Sequence, residues 1–253
     1  MSATSIRHPY QGLLQILQFN ARFYALAATG QLAAIVAAML LPPRPRVALM
    51  LVTTPALCWL AASLLVSHYV YDCYPLYDMG WIRQELAHPP ARWINIHCGF
   101  DQTSALLEST FPDGHGQIVD IFDSRFMTEP SIERARKLSP CSVAAIGANY
   151  DALPFTDSSL DAAFCIFAAH ELRSHVRRVA LFGEIARTLV QGGTFILVEH
   201  ARDWHNFLAF GPGFVHFFSP RAWRKASAES GFIIQRELFR TPFVRAFILR
   251  RAQ

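Results

Sequence analysis

Two long apolar runs dominate the beginning of the chain. Residues 23–41 are almost wholly apolar and uncharged, and residues 47–70 are interrupted only by a few threonine, serine and histidine side chains. A helix of either length can cross the roughly 30 Å hydrocarbon core of a bilayer. The segment between them, residues 42–46, holds three prolines and two arginines. We therefore predict a two-helix transmembrane hairpin over residues 23–70 with a proline-stiffened turn; a hairpin that dips into one leaflet is the alternative.

The segments on either side of the hairpin also show apolar patterns. Residues 1–22 contain an amphipathic helix from about Pro9, with Leu13, Leu14 and Leu17 on its apolar face. Such a helix can lie in a membrane interface or pack on its own protein. Residues 71–91 form a junction rich in tyrosine and tryptophan, which suits the interface level of a membrane or packing on the domain that follows.

From residue 92 to residue 253 the pattern alternates between strands and helices. We predict strands near residues 93–96, 117–121, 142–146, 162–167, 194–199, 232–237 and 246–250, and helices at 104–110, 131–137, 176–190 and from Pro220. Gln191-Gly192-Gly193 is predicted to close the third of these helices. Alternation of this kind indicates an α/β fold: a Rossmann-like, mostly parallel sheet with helices on both faces.

Composition favours lipid over nucleic acid as a partner. The chain is 52% hydrophobic and 17% charged, with a mean hydropathy of +0.22, whereas soluble domains carry about 25% charged residues. Its net charge of +4 is not gathered in a dense basic block, so we predict membrane lipid as a partner and no nucleic acid. The five cysteines form no C-x-x-C pair, which indicates free thiols in a reducing compartment and no zinc site.

Two stretches of the predicted sheet domain resemble the class I S-adenosylmethionine-dependent methyltransferases. Residues 151–161, Asp-Ala-Leu-Pro-Phe-Thr-Asp-Ser-Ser-Leu-Asp, resemble the "A-x-x-L-P-F-x-D-x-S-F-D" segment of the members that act on quinones, sterols and lipids. Residues 182–194 are similar to the "E-x-x-R-V-L-K-P-G-G" helix and turn. The resemblance covers about residues 93–251 and implies S-adenosylmethionine as cofactor.

The first motif of that family, acid-x-G-x-G-x-G, is altered here. Its positions hold Asn95, His97, Gly99 and Asp101, so only Gly99 matches a glycine. The loop is interpreted either as a tuned cofactor site or as one that has lost its ligand, and we favour the first.

Further cofactor contacts are expected at the ends of the next two strands. Asp120 stands about twenty residues after the loop, a spacing that suits a carboxylate on the ribose hydroxyls, with Asp123 as a rival. Asn149 and Tyr150 are the expected adenine contacts.

Candidate catalytic residues follow the fourth and fifth strands. His170 is a candidate general base oriented by Glu171, and His200 is a second candidate base. The carboxyl ends of the strands could bring these residues, His97, Asp101 and Glu199 to one crevice. Such a cluster could hold a divalent ion, but no ligand pair has metal spacing on one helix, so we predict no metal. Four aromatic residues of the next segment are the expected substrate wall: Trp204, Phe207, Phe210 and Phe214.

The sequence thus leads to one functional hypothesis with open alternatives. We expect a membrane-anchored methyltransferase that acts on a lipophilic small molecule, of the quinone, polyketide or aryl pigment, fatty acyl or isoprenoid class. We expect it in the cell inner membrane, with its catalytic domain facing the cytoplasm. The alternatives are a non-catalytic methyltransferase-like membrane scaffold, an S-adenosylmethionine-using enzyme with non-methyl chemistry, and a soluble protein with a buried helical pair. The sequence specifies no protein partner.

Overall fold

The computed structural model describes residues 8–138 and 144–252, and the chain divides into two compact units. The helical unit runs up to Pro75 and also includes Trp204–Phe214. The sheet unit comprises Leu76–Asp203 and the chain from Val215 onward. The division differs from the predicted segments 1–22, 23–70, 71–91 and 92–253 chiefly in the aromatic stretch after the fifth strand, which groups with the N-terminal helices.

Every predicted helix is present among the described residues, most with shifted ends, together with two short helices that were not predicted. The helices are α1 (Gln11–Phe19), α2 (Ala21–Leu40), α3 (Pro43–His68, continued by a π-turn over Tyr69–Cys73), α4 (Gly80–Glu85), α5 (Ser104–Thr110), α6 (Pro130–Leu138), α7 (His175–Thr188), α8 (Trp204–Phe210) and α9 (Pro220–Glu229). Ser219 caps α9, because its hydroxyl accepts a hydrogen bond from the amide of Ala222.

Seven strands within the described ranges form one sheet. They are β1 (Arg92–His97), β2 (His115–Asp120), β3 (Ile146–Gly147), β4 (Leu160–Ile166), β5 (Leu189–His200), β6 (Phe232–Thr241) and β7 (Val244–Arg251). Their spatial order is β3-β2-β1-β4-β5-β7-β6. The first five run parallel, whereas β7 is antiparallel to both β5 and β6. The predicted mostly parallel α/β sheet is confirmed.

Two local predictions are wrong. Residues 43–46 are not a turn, because α3 begins at Pro43; proline suits the first helical turn, where its missing N–H has no partner to lose. Gln191-Gly192-Gly193 does not close α7, which ends at Thr188. These residues lie within β5, where the register against β4 shifts. Residues 142 and 143, the start of the predicted third strand, lie outside the described residues.

An arginine on α7 fixes the segment that carries the most specific sequence resemblance. The Arg187 guanidinium donates to the carbonyls of Leu153 and Phe155, and to the carboxylates of Glu184 and Asp157. Since each carbonyl receives a charge-assisted hydrogen bond, residues 153–157 are held against α7 and lead directly into β4.

The strand order reverses between β1 and β4. From β1 the chain continues outward to β2 and β3, and then returns to place β4 on the other side of β1. In open parallel sheets, ligands bind beyond the carboxyl ends of the strands at such a reversal. The side chains of greatest functional interest are therefore those at the ends of β1, β2, β4 and β5.

Candidate active site

The loops after β1 and β4 meet at the point where the strand order reverses. The thiol of Cys98 donates a hydrogen bond to the carbonyl of Ala168 over 3.3 Å. Both residues are buried, and burial of the Cys98 thiol raises its pKa, so it remains protonated and serves as a link between the two loops.

Two of the altered positions in the loop after β1 brace the loop itself. Asp101 Oδ1 accepts hydrogen bonds from the backbone amides of Thr103 and Ser104, both over 3.0 Å, at the start of α5. The fully buried Asn95 amide donates to the hydroxyls of Thr103 (2.9 Å) and Ser104 (2.8 Å). The side chains of Asn95 and Asp101 thus fix the strand–loop–helix junction. Asn95 Oδ1 has no hydrogen-bond partner among the described residues.

His97 and Gly99 shape the tip of the same loop. The amide of Gly99 donates a hydrogen bond to His97 Nδ1 over 2.9 Å, so Nδ1 carries no proton and the ring is neutral. Burial lowers the pKa of His97 in agreement with this, and its 3.9 Å separation from Asp120 is not an ion pair. Gly99 has a φ of +88°, which favours glycine. Since His97 and Asp101 hold the loop by hydrogen bonds, glycine is required here at only one position.

Asp120 ends β2 beside this loop and is engaged by a residue that the sequence did not indicate. Its Oδ1 accepts the amide of Phe122 over 3.0 Å, and its Oδ2 lies 2.7 Å from Arg136 Nη1 on α6. The guanidinium also lies over the Phe122 ring, 4.1 Å from its centroid. A Cβ atom added to Gly99 would stand 1.7 Å from Arg136 Nη1. Arg136 therefore fills the space that Gly99 leaves open.

Asn149 and Tyr150 border an open polar cleft of about 440 Å³. Its other lining residues are Asp123, Arg125, Phe126, Asp151 and Arg177. Arg125 donates to Asp123, which lowers the pKa of that carboxyl to about 2. Asp120 and Asp123 are each paired with an arginine, so their positions decide between them: Asp120 ends β2 beside the Gly99 loop, which favours it as the carboxylate for a ribose.

The residues around Asp120 fit S-adenosylmethionine, the ligand that the sequence resemblance implies. A carboxylate at the end of β2 can accept both hydroxyls of a ribose, and the open backbone at Gly99 permits close approach. The space beside Gly99 is filled by the guanidinium of Arg136, the end of a flexible side chain that is 31% exposed. The cofactor therefore fits once the Arg136 guanidinium swings away from Asp120.

A second polar group lies at the ends of β4 and β5. The buried Glu199 carboxylate accepts two hydrogen bonds from His170: one from the backbone amide (3.1 Å) and one from Nδ1 (2.8 Å). His170 Nε2 lies 3.4 Å from Glu171 Oε1. Burial opposes protonation of His170, but Glu199 and Glu171 outweigh it and raise its pKa to about 10. A general base needs the neutral ring, which these two carboxylates disfavour.

Two residues missed by sequence reasoning complete this group. The His216 ring lies 5.3 Å from the His170 ring between centroids. Arg173 donates to the carbonyls of His170 (3.3 Å) and His216 (2.6 Å), and so ties the two segments together. His216 stands 46 positions after His170 in the sequence, so no spacing rule links them.

The second predicted base, His200, has different surroundings. Its Nδ1 donates to the carbonyl of Phe243 over 3.0 Å, and its ring stacks on Phe217 with 4.8 Å between centroids. His200 is buried. These contacts hold the ring at the end of β5 against the turn that precedes β7.

The predicted substrate wall belongs to the helical unit. Trp204, Phe207, Phe210 and Phe214 all lie in the stretch that groups with the N-terminal helices. Phe207 contacts two other rings edge to face. Its centroid lies 5.6 Å from that of Trp59 on α3 and 5.2 Å from that of Phe214. Gly211, at φ +53°, permits the close approach of Trp59. We call Trp59, Trp204, Phe207 and Phe214 the aromatic cluster.

Comparison with known proteins gives a family for part of the chain and a fold for more of it. Residues 95–197 match a family described as a methyltransferase domain. No curated protein gives a significant match. Human N-acetylserotonin methyltransferase, solved in complex with SAM, is 11% identical, with a TM-score of 0.57, over 99% of this chain and 73% of that one. The PH0226 protein from Pyrococcus horikoshii is 15% identical, with a TM-score of 0.52, over 70% of this chain and 88% of that one.

The family match begins at Asn95, within β1, and ends within β5. It therefore spans the strand reversal, the altered loop, Asp120 and the His170–Glu171 pair. This part of the chain is thus a methyltransferase domain, with S-adenosylmethionine as its cofactor.

Proposed function

We propose that this methyltransferase is anchored in a membrane by α2 and α3 and methylates a lipophilic small molecule at the membrane surface. The observation that carries the proposal is the exposure of two helices long and apolar enough to cross a bilayer. Neither apolar window, in Ala21–Leu40 or in Pro43–Cys73, has buried residues. Leu26, Leu40 and Leu51 are 73%, 81% and 71% exposed. Such a contiguous apolar surface is typical of a protein that meets lipid.

The polar side chains of these helices support the same proposal. The hydroxyls of Thr29, Thr53 and Ser63 donate to carbonyls of their own helix. Gln31 donates across the pair to the carbonyl of Thr53 over 3.0 Å. Because hydrocarbon offers no water to hydrogen-bond with, polar groups must be satisfied internally in this way.

The amphipathic helix α1 is fixed to the end of the hairpin that leads into the sheet unit. The fully buried Asp72 carboxylate accepts the amides of Gly12 (2.6 Å) and Leu13 (3.0 Å) at the start of α1. It also lies 2.9 Å from His68 Nδ1. The start of α1 and the end of α3 are thus at the same end of the hairpin, from which the chain continues into the sheet unit. This position suits an amphipathic helix that lies in the membrane interface.

The topology follows from the cofactor. S-adenosylmethionine is made in the cytosol, so a spanning hairpin would place both flanking segments there. We therefore propose the cell inner membrane as the location, with the catalytic domain in the cytoplasm. A hairpin that enters only one leaflet from the cytoplasmic side gives the same arrangement.

The aromatic cluster supports a lipophilic acceptor. Trp204 is 65% exposed. Trp59 lies on the apolar helix α3, about 14 Å along the helix axis from the end of α3 at His68. The chain connects this cluster to the catalytic domain at both ends, since His200 precedes Trp204 and His216 follows Phe214. We propose that Trp204, Phe207, Phe210 and Phe214 contact the apolar part of an acceptor dissolved in the membrane. Its chemical class is the quinone, polyketide or aryl pigment, fatty acyl or isoprenoid class.

The sheet unit supplies the reacting site. We propose that Asp120 holds the ribose, that Gly99 and the braced residues Asn95, His97 and Asp101 form the cofactor loop, and that Asn149 and Tyr150 contact the adenine. When bound, S-adenosylmethionine supplies an electrophilic methyl group. His170, Glu171 and His200 are the proposed catalytic residues, with His170 fixed by Glu199 at the acceptor side. Placing the acceptor in line with that methyl group lowers the barrier by orientation.

Label transfer in membranes tests the proposed function. Membranes that contain the full chain are incubated with methyl-labelled S-adenosylmethionine and then extracted with organic solvent. Label is expected in the organic phase, and His170→Ala is expected to abolish it while S-adenosylhomocysteine still binds. Mass spectrometry of cells without the protein should then show a lipid lighter by one methylene. Label confined to protein or to the aqueous phase would refute a lipophilic acceptor.

Arg136 gives a further prediction about this site. Because its guanidinium occupies the open side of Asp120, Arg136→Ala should tighten S-adenosylhomocysteine binding. The lost ion pair is partly exposed, so we expect about 0.5–1 kcal/mol, a roughly two- to fivefold lower dissociation constant. Calorimetry measures it, with Lys137→Ala on the same helix as the control, since Lys137 pairs with Glu133 instead. Weaker binding in Arg136→Ala would show that Arg136 contacts the ligand.

A further inference from the structure

The group at the ends of β4 and β5 has the composition of a metal site. His170, Glu171 and His216 each offer a ligand atom, and these atoms lie within 4.8 Å of one another. Two imidazoles and one carboxylate are a ligand set that divalent first-row transition metals accept, and three protein ligands leave a position open for water or substrate. All three residues belong to the sheet unit.

Glu199 prepares His170 to be a ligand. Its carboxylate accepts hydrogen bonds from His170 Nδ1 over 2.8 Å and from the His170 amide, which fixes the tautomer and the ring orientation. Nε2 is thereby left to face Glu171. A carboxylate on the far nitrogen of a histidine is the usual outer partner of a metal-bound imidazole.

The distance between the facing atoms suits an ion between them. His170 Nε2 and Glu171 Oε1 are 3.4 Å apart. A charge-assisted hydrogen bond would be shorter, about 2.7–2.9 Å. Two ligands at about 2.1 Å from a tetrahedral zinc ion are themselves about 3.4 Å apart. Glu171 Oε2 is buried and has no hydrogen-bond partner among the described residues, so this carboxylate lacks a donor on one oxygen.

The side chains around this group carry charges of both signs. Glu171 and Glu199 belong to the group, and Glu129 Oε1 lies 4.0 Å from His216 Nδ1. One nearby cation, Arg173, binds the backbone carbonyls of His170 and His216 and lies over the Phe218 ring, 4.5 Å from its centroid. Arg202 also acts on His216 and Arg178 on Glu199, so the charges nearly balance, and the ligand set and its geometry rather than the net charge point to an ion.

We propose that His170, Glu171 and His216 bind one divalent first-row transition-metal ion, with Glu199 as the positioning carboxylate behind His170. Sequence spacing could not indicate this site, because its third ligand comes from a separate segment. The proposal does not depend on membrane anchoring or on the class of acceptor.

Cobalt binding to the purified full chain in detergent tests the proposal. After treatment with a chelator, Co²⁺ should bind with one equivalent per chain and give visible d–d absorption bands. Zn²⁺ should displace it and Mg²⁺ should not, because imidazole ligands suit zinc and not magnesium. Elemental analysis of the protein as purified should find a transition metal. These readouts need no activity, so failure of the proposed function would leave them unchanged.

Variants locate the ion. His216→Ala and Glu171→Gln should lose the cobalt spectrum, and Glu199→Gln should weaken binding by about 10–100-fold. The control is His175→Ala, because His175 also faces a carboxylate, Glu229 at 2.7 Å, but lies partly exposed on the sheet unit. His216 is 33% exposed, so His216→Ala should fold, and circular dichroism checks this. A folded wild-type chain that binds no Co²⁺, or equal binding by wild type and His216→Ala, would overturn the proposal.

Discussion

Asp120→Ala should raise the dissociation constant of S-adenosylhomocysteine by about 100-fold or more. The carboxylate would accept two ribose hydroxyls, and a hydrogen bond to a charged group contributes about 1.5–3 kcal/mol. Since about 1.4 kcal/mol is a factor of ten in affinity, two such bonds account for the expected loss. Calorimetry with the full chain in detergent measures it.

Asp123→Ala is the matched control for this prediction. Asp123 lies three positions further on and is held by Arg125, with its pKa lowered to about 2 by that hydrogen bond. Its removal should leave the dissociation constant within about threefold, because Asp123 lies beyond the end of β2 and its ion pair with the exposed Arg125 contributes little. If Asp123→Ala loses binding while Asp120→Ala keeps it, the ribose site has been assigned to the wrong carboxylate.

Arginine in the middle of each apolar helix should release the chain from membranes. Leu32 on α2 and Leu57 on α3 are 63% and 48% exposed and stand near the helix centres. A charge at such a position costs about 2.5–3.5 kcal/mol per residue on insertion scales. The double variant Leu32→Arg, Leu57→Arg should therefore shift from the carbonate-resistant membrane pellet to the soluble or aggregated fraction.

Ile233→Arg controls for the replacement of an exposed apolar side chain by arginine outside the apolar helices. Ile233 lies on β6 of the sheet unit and is 60% exposed, so it is as accessible as the two leucines. This variant should stay in the pellet with the wild type. Recovery of the wild-type chain in the aqueous fraction after lysis without detergent would contradict membrane anchoring outright.

The fold was largely predictable because the central parallel strands β1, β4 and β5 are mostly buried. Period and capping residues placed α5 at Ser104–Thr110 and started α9 after Ser219. They failed where proline and glycine have more than one structural use. Pro43 and Pro45 can break a helix or begin one, and Gly192-Gly193 can end a helix or sit in an irregular strand start. Only the surrounding packing selects between these uses.

The site was predictable to the extent that strand ends determine it. Asp120, His170 and Glu199 could be placed near one edge because β2, β4 and β5 run parallel and end there. The reasons for the altered loop were not predictable. That Asn95 and Asp101 brace α5, and that His97 accepts the Gly99 amide, depends on side-chain directions that spacing does not contain.

The sequence by itself determined the class of fold, the methyltransferase resemblance and the two apolar helices, because these depend on local periodicity and short motifs. Only the tertiary structure showed Arg136 on Asp120, Glu199 behind His170, and His216 beside it. Only the tertiary structure grouped Trp204–Phe214 with the helical unit. These contacts join residues far apart in the chain, and chain packing, which no local pattern encodes, is what brings them together.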